Sequence, residues 1–146
     1  MNLLAGSRLM SAAIWFIAAL GAAQPPSPGT IARMYDPATE TYIKGTVEEV
    51  KTVPHGRMMA GMHLILKADD VTHEVTLGPA NFVSGKGFSF AKGDAIELTG
   101  SKVNVGGTAY IVAREVIKDG RTLILRDKNG APAWAGTRGG RRGPTQ

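Results

Sequence analysis

HEVTLGPANFVSGKGFSFAKGDAIELTG, residues 73–100, is the stretch on which the fold depends. Its first part alternates apolar and polar residues, which predicts a strand that ends at Gly78-Pro79. Pro79 suits the start of a single helical turn, because the N–H that proline lacks would have no partner at that position. Gly93-Asp94 then turns the chain into another strand. We therefore expect residues 73–100 to cross between two halves of a small closed β structure.

Further strands flank this crossing on both sides. The first strand loses its apolar phase after Glu48-Glu49, which predicts a β-bulge, and Gly45 permits the close approach of a neighbouring strand. The strand that contains Tyr110 is apolar on both faces, so its outer face should be covered. The predicted strands are 42–53, 62–68, 71–77, 95–103, 110–117 and 121–127. With one short helical turn between the third and fourth strands, this order predicts an all-β fold, a small OB-like closed barrel of five to six strands.

The two ends of the chain differ from the barrel region. Arg8, the apolar run after it and the small residues Ala22-Ala23 have the form of a secretory signal peptide. The run is shorter than the roughly 20 residues that span a bilayer. We expect a periplasmic or secreted protein with no transmembrane segment after signal cleavage. The predicted segments are a signal peptide at 1–23, a Pro-rich linker at 24–41, the OB-like β-barrel domain at 42–136 and a disordered basic Gly/Arg tail at 137–146.

Composition excludes several chemistries. The chain has no cysteine, which rules out disulfides, thiol catalysis, cysteine metal clusters and c-type haem attachment. The formal net charge is +5, but Arg8 and the three tail arginines, Arg138, Arg141 and Arg142, account for most of it. The barrel region is therefore nearly neutral, which disfavours a broad nucleic-acid-binding face.

Several short motifs occur in an order that resembles a known family. They are Gly45-Thr46-Val47, His63-Leu64-Ile65-Leu66-Lys67, Val75-Thr76-Leu77-Gly78-Pro79, Gly93-Asp94 with Leu98-Thr99-Gly100-Ser101, and Leu123-Ile124-Leu125-Arg126-Asp127 with Gly130-Ala131-Pro132-Ala133-Trp134. Together they resemble the OB-like domain of the MamS/MamX magnetosome type, which is widespread in exported bacterial proteins. The resemblance covers 42–136 and implies the fold and an envelope location. It supplies no catalytic residue.

A cluster of methionine and histidine residues is the strongest candidate metal site. Thioether and imidazole groups suit Cu(I) or Ag(I), and the cluster lies where a loop enters the second strand. Trp134 is a candidate cap over such a site, an arrangement similar to small periplasmic copper-binding OB barrels. In the alternative, Met62 packs in the core, His63 faces solvent and the loop methionines are adaptable hydrophobes. The candidate ligands are His55, Met58, Met59, Met62 and His63.

Other polar residues favour structural roles. His73 shares the parity of the apolar residues of its strand, which places it inward or at the barrel rim as a hydrogen-bonded histidine. Asp94 is expected to accept backbone N–H bonds, and Arg126-Asp127 to form an ion pair or turn contact that fixes the Trp134 segment. No nucleophile triad, metalloprotease motif or complete phosphate loop is present, so the sequence predicts a protein that is not an enzyme.

The sequence therefore predicts an exported, non-enzymatic binding or assembly module of the bacterial envelope with no cofactor. Its ligand and partner are unknown, and an envelope protein is one candidate partner. One alternative is a periplasmic Cu(I)/Ag(I)-binding protein that uses the Met/His loop. Another is a weak binder of nucleic acid or another polyanion, through Tyr42 and Tyr110 with nearby cations or through the arginine tail.

Overall fold

The computed structural model describes residues 28–55 and 59–135. Six strands and two short helices form this part of the chain. The elements in chain order are α1 (Pro28–Ala32), a 3-10 turn (Pro37–Thr39), β1 (Glu40–His55), β2 (Met59–Ala68), β3 (Val71–Pro79), α2 (Ala80–Gly85), β4 (Ala95–Val105), β5 (Thr108–Lys118) and β6 (Arg121–Ile124). The short helix after β3 lies where the sequence predicted a helical turn.

The strands close into a barrel. They lie in the order β3-β2-β1-β4-β5-β6, and β3 also pairs with β5 in parallel to close the barrel. This is the OB-like arrangement, so the predicted fold class is confirmed. The predicted bulge in β1 lies between Val47 and Glu49. Gly45 allows β1 to approach β2, since a Cβ there would lie 2.4 Å from the Lys67 carbonyl oxygen.

The barrel interior is filled by the alternating apolar residues that the sequence predicted to face inward. Leu64, Leu66, Val75 and Leu77 are completely buried, and Phe88 closes the interior from the crossing that follows α2. Each such side chain stabilises the fold by about 1.5–3 kcal/mol relative to an exposed position. The barrel therefore has a complete core without disulfides.

A second apolar cluster lies on the outside of the barrel. Ile31 of α1 is 2% exposed and packs with Val103, Tyr110 and Val112 of β4 and β5. The apolar outer face of β5 is thus covered, as the sequence required, and α1 covers it. The segment predicted as a linker, 24–41, therefore contains a packed helix and a 3-10 turn where it is described, and β1 begins at Glu40.

One end of the barrel is fastened by cations on aromatic rings. Arg121 lies 4.6 Å from the centroid of Phe88, and Lys118 lies 5.5 Å from that of Phe90. Lys118 Nζ also lies 2.7 Å from Asp94 Oδ2, which accepts a 2.8 Å hydrogen bond from Ala91 N–H, as expected for Asp94. We call Phe88, Phe90, Asp94, Lys118 and Arg121 the strapped end. It attaches the crossing to the β5–β6 hairpin.

Three predictions fall outside the described residues. The signal peptide at 1–23 and the tail at 137–146 are two of them, and the side chains of 55–59 in the β1–β2 loop are the third. Within 28–55 and 59–135, no helix has the length and apolarity to cross a membrane.

Candidate ligand-binding cleft

Arg126 lies at the point where the barrel closes. The parallel pairing of β3 with β5 ends at Thr76 and Val112, so the next pair in register would be Leu77 and Ala113. Arg126 Nη1 donates hydrogen bonds to both of those carbonyl oxygens, at 3.0 Å to Leu77 O and by a short bond to Ala113 O. The guanidinium thus replaces the backbone ladder where the strands separate. We call this contact the seam.

The indole ring of Trp134 covers the seam. The guanidinium carbon of Arg126 lies 4.9 Å from its centroid, and the ring of Phe82 packs against it at 5.4 Å. Gly78 makes this position possible, because a Cβ there would lie 2.5 Å from Trp134 Cη2. A desolvated cation–π contact contributes about 2 kcal/mol. Trp134 therefore closes the seam from outside and holds the arginine in place.

The chain between Arg126 and Trp134 is built around Asp127. Its Oδ1 accepts hydrogen bonds from the N–H groups of Asn129 and Ala131, at 2.8 and 2.9 Å. Arg126 pairs with Pro132 in an isolated β-bridge. The turn contact predicted for Arg126-Asp127 is therefore made by Asp127, whereas Arg126 does not pair with it and enters the seam. Together the two residues fix the Trp134 segment.

A cleft of about 670 Å³ opens beside the seam. Its floor is formed by His63 of β2 and Thr76 of β3. One wall is the segment after α1, with Arg33 and Tyr35, and the other is the segment 129–135. We call this space the seam cleft. It lies on the outer face of β2 and β3, away from the apolar core.

The floor contains a buried histidine. The sequence alternative that left His63 facing solvent is wrong: His63 does lie opposite Leu64, but it is 2% exposed because both cleft walls cover that face. Its Nδ1 lies 3.3 Å from Thr76 Oγ1 and 3.7 Å from Glu74 Oε1. Burial lowers the pKa of His63, and the opposing effect of Glu74 is smaller, so the ring is neutral at pH 7.

Two buried nitrogens in this site have no hydrogen-bond partner among the described residues. They are Nη2 of Arg126 and Nε2 of His63. Arg126 is 1% exposed, and burial lowers its pKa to about 10, which still leaves it charged at neutral pH. Buried charges are ordinarily paired, and buried donors ordinarily find acceptors. Within the described residues, the seam cleft is therefore the place where buried polar groups lack a hydrogen-bond partner.

The N-terminal wall is held by a polar contact across the barrel surface. The Tyr35 hydroxyl and Arg114 Nε both donate short hydrogen bonds to Glu40 Oε1. Burial, together with the hydrogen bond and charge of Glu40, raises the pKa of Tyr35 to about 12. The Tyr35 ring packs on Gly130, where a Cβ would lie 2.4 Å from Tyr35 Cδ1. The two walls of the seam cleft therefore meet in direct contact.

Two of the residues predicted to bind a soft metal ion lie on opposite faces of β2. Met62 packs against the barrel core, whereas His63 lines the seam cleft on the other face of β2. The side chains of His55, Met58 and Met59 lie outside the described residues. Among the described His, Asp and Glu side chains, no group of three or more is placed to hold a metal ion. The Cu(I)/Ag(I) site stays a prediction.

Three further predicted residues lie elsewhere. His73 is half-buried at the rim of β3, outside the lining of the seam cleft, and its pKa is lowered by burial and by Lys102. Tyr110, a candidate for stacking on bases, is 7% exposed under α1 and presents no free ring face. Tyr42 is exposed, but its neighbour Lys44 is paired with Glu97 at 3.0 Å.

Comparison with known proteins identifies the family. Residues 39–123, more than half of the chain, match the MamS/MamX magnetosome protein family. The chain belongs to the MamS/MamX magnetosome protein family. No curated protein matches it. The MamS/MamX match ends at residue 123, so Arg126 and Trp134 lie beyond it, although the resemblance by motif had included them.

Three solved structures are similar in part. One is the second OB-fold domain of replication protein A from Methanococcus maripaludis, with 21% identity, a TM-score of 0.40, and coverage of 56% of this chain and 85% of that one. Another is the N-terminal domain of PriB from Thermoanaerobacter tencongensis, with 11% identity, a TM-score of 0.42, and coverage of 56% and 96%. The third is the mitochondrial single-stranded DNA binding protein Rim1 from S. cerevisiae, with 14% identity, a TM-score of 0.39, and coverage of 58% and 93%. At these values they indicate nothing about what this chain binds.

Proposed function

We propose that this protein is an exported, non-enzymatic binding or assembly module of the bacterial envelope, and that the seam cleft is its ligand-binding site. The observation that carries the proposal is the pair of buried, unpartnered nitrogens of His63 and Arg126 beside a cleft of about 670 Å³. Ligand pockets in proteins have volumes of about 300–1,000 Å³ and combine apolar walls with a few polar groups.

The position of the cleft supports the same proposal. OB barrels bind ligands on the face of their second and third strands. His63 and Thr76 lie on that face of β2 and β3, beneath the two walls. The two walls make this site a half-open cleft.

The groups in the cleft suit binding better than catalysis. His63 is neutral and buried, and Arg126 already donates two hydrogen bonds to the barrel backbone. The hydroxyl beside His63 belongs to Thr76, which is itself only 2% exposed. A general base must reach the proton that it removes and must be oriented by another group. Export is supported by the signal-like sequence at 1–23. The soft-metal alternative rests on His55, Met58, Met59, Met62 and His63. The polyanion alternative rests on Tyr42, Tyr110 and the tail at 137–146.

One experiment tests location and binding together. The full chain is expressed in a bacterial host, purified without denaturant from the periplasmic extract, and analysed by native mass spectrometry for bound small molecules. Two exposed alanines of one segment provide matched variants, because Ala131 lines the seam cleft and Ala133 does not. We expect a bound mass on the unmodified protein and on Ala133→Phe, and none on Ala131→Phe.

Two outcomes would contradict the proposal. Retention of the protein in the cytoplasm would remove the envelope assignment. The same mass spectrum for all three proteins, with or without an adduct, would remove the seam cleft as the site.

A further inference from the structure

We propose that the seam cleft recognises a carboxylate, which pairs with Nη2 of Arg126, on a ligand whose apolar body lies against the cleft walls. This inference rests on the proposed function and names the chemical class of the ligand.

The charge of Arg126 is the first reason. None of the ion pairs of the described residues involves Arg126: they join Lys44 to Glu97, Arg114 to Glu40 and Glu115, and Lys118 to Asp94. The contact of Glu74 with His63 is made to a neutral ring. Arg126 is instead held by backbone carbonyls and an aromatic ring, which leave its unit charge uncompensated. An uncompensated charge of this kind is costly in a folded protein unless a partner neutralises it.

The electrostatics of the whole cleft are the second reason. Arg33 and Arg126 line it, and no Asp or Glu does so within 28–55 and 59–135. Of the nearby carboxylates, Glu40 accepts from Tyr35 and Arg114, and Asp127 Oδ1 accepts from its own turn. Glu74 Oε1 lies 3.7 Å from His63 Nδ1, but Glu74 does not line the cleft. The site therefore favours an anion over a cation or a neutral polar molecule.

The number of free donors selects the kind of anion. Nη1 of Arg126 already serves two carbonyl oxygens, which leaves the edge formed by Nη2 and Nε, a two-donor edge that matches the two oxygens of a carboxylate. A phosphate brings up to about two negative charges and three strongly accepting oxygens, which need several donors. A carboxylate brings a single charge, which balances that of Arg126.

The size and the walls indicate that the carboxylate belongs to an organic molecule. A free inorganic ion would occupy a small part of about 670 Å³. Around Trp134 the lining is made mainly of proline, alanine and glycine, with Pro79 and Pro132 on either side of the seam. These surfaces gain stability by covering apolar ligand atoms. The carboxylate has two sources, a small organic acid or the C-terminus of a peptide.

Isothermal titration calorimetry with matched probes tests the charge requirement on the unmodified protein. The probes are 3-phenylpropionate, its neutral amide 3-phenylpropionamide, and phenyl phosphate. A charge-assisted hydrogen bond is worth about tenfold or more in affinity. We expect the acid to bind at least about tenfold more tightly than the amide, and more tightly than the phosphate. Equal binding of acid and amide, or a preference for phosphate, would overturn the inference.

Variants assign the charge to Arg126. Ala131→Phe should abolish binding of the acid, and Ala133→Phe should leave it unchanged. Arg33→Gln removes the exposed cation of the cleft and should lower the acid-over-amide ratio by a small factor, whereas Arg126→Gln removes the buried cation and should bring that ratio close to one. If Arg33→Gln alone removes the ratio, Arg126 is not the anchor. The comparison of probes on unmodified protein remains valid even where Arg126→Gln fails to fold.

Two peptide probes separate the sources. The tripeptide Ala-Ala-Phe is compared with its C-terminally amidated form: a preference for the free acid indicates a peptide C-terminus, and binding of 3-phenylpropionate alone indicates a small organic acid. The outcomes distinguish a failure of the proposed function from a failure of the carboxylate inference. A co-purified ligand with equal binding of acid and amide would leave the proposed function standing and remove the carboxylate, whereas no ligand and no probe binding would remove both.

Discussion

Two arginines of this barrel stack on aromatic rings and donate to backbone carbonyls, yet they lie in opposite environments. Arg121 at the strapped end is exposed, covers Phe88 at 4.6 Å and donates to Gly87 O at 3.2 Å. Arg126 at the seam is 1% exposed, covers Trp134 at 4.9 Å and donates to Leu77 O at 3.0 Å. Water compensates the charge of Arg121. The described residues do not compensate that of Arg126.

The difference distinguishes a contact that only stabilises the barrel, made by Arg121, from a candidate ligand-binding site, formed at Arg126. An exposed cation–π contact contributes about 0.5–1 kcal/mol and needs no further partner, because solvent completes the hydrogen bonds of the guanidinium. A buried guanidinium loses its hydration, which is why the pKa of Arg126 falls to about 10. A neutral donor such as a side-chain amide could serve the carbonyls of Leu77 and Ala113 without burying a charge. The charge at this point is therefore best explained by a ligand.

The largest difference we predict is between the losses of stability caused by Arg126→Ala and by Arg121→Ala. Arg126→Ala leaves the carbonyls of Leu77 and Ala113 without donors and opens a cavity under Trp134, so we expect a loss of about 3–5 kcal/mol in the free energy of unfolding. Arg121→Ala should cost about 0.5–1 kcal/mol. Urea denaturation followed by far-UV circular dichroism measures both. Equal losses would show that the seam and the strapped end are equivalent.

A substitution at Gly78 should displace Trp134 from its position over Arg126. Gly78→Ala combines a strained backbone at φ +151° with a Cβ 2.5 Å from the indole, so it should displace Trp134 and cost about 2–3 kcal/mol. Gly93→Ala is the matched control, because Gly93 has φ +96° but nothing within 4 Å of an added Cβ. It should cost about 1–2 kcal/mol.

Trp134 fluorescence distinguishes the two glycine variants, measured in a Trp15→Phe background in which Trp134 is the remaining tryptophan. We expect a shifted emission maximum for Gly78→Ala and an unchanged one for Gly93→Ala. An unchanged spectrum in Gly78→Ala would mean that the ring does not depend on the glycine.

The barrel could be predicted because its signals are local. Alternation in β2 and β3, the loss of phase after Glu48-Glu49 and the proline immediately before α2 are each contained in a few consecutive residues. Gly45 is likewise explained by a single close approach to the Lys67 carbonyl. The fold follows from these signals in order along the chain.

The seam and its cleft could not be predicted because they depend on distant contacts. Arg126 lies next to Asp127, which suggests a local pair, but its partners Leu77 and Ala113 are 49 and 13 residues away. The parity of His63 correctly placed it on the outer face of β2. Nothing in that strand shows that two other segments cover the face. The five residues of α1 are too few for a helical period, although Ile31 closes the outer cluster.

The smallest effect we predict concerns the floor of the seam cleft and depends on pH. Burial lowers the pKa of His63 below its ordinary 6.5; the charge of Glu74 raises it by a smaller amount, and the charge of Lys51 lowers it further. As the pH falls below 6.5, the unfolded chain takes up a proton that the folded chain refuses, so stability decreases until the pH reaches the folded pKa. The loss is about 1.4 kcal/mol for each unit between the two pKa values.

His63→Gln removes this titration, and His73→Gln is the matched control, since His73 is half-buried and also has a lowered pKa. Unfolding free energies at pH 7.5 and pH 5 should differ less in His63→Gln than in the unmodified protein, and His73→Gln should reduce the difference by a smaller amount.

A carboxylate bound in the cleft should reduce this loss of stability at low pH, because a bound anion favours a protonated imidazole beside it. Adding 3-phenylpropionate should therefore recover part of the acid-induced loss in the unmodified protein and none of it in Ala131→Phe. Equal recovery in both would mean that the acid does not bind beside His63.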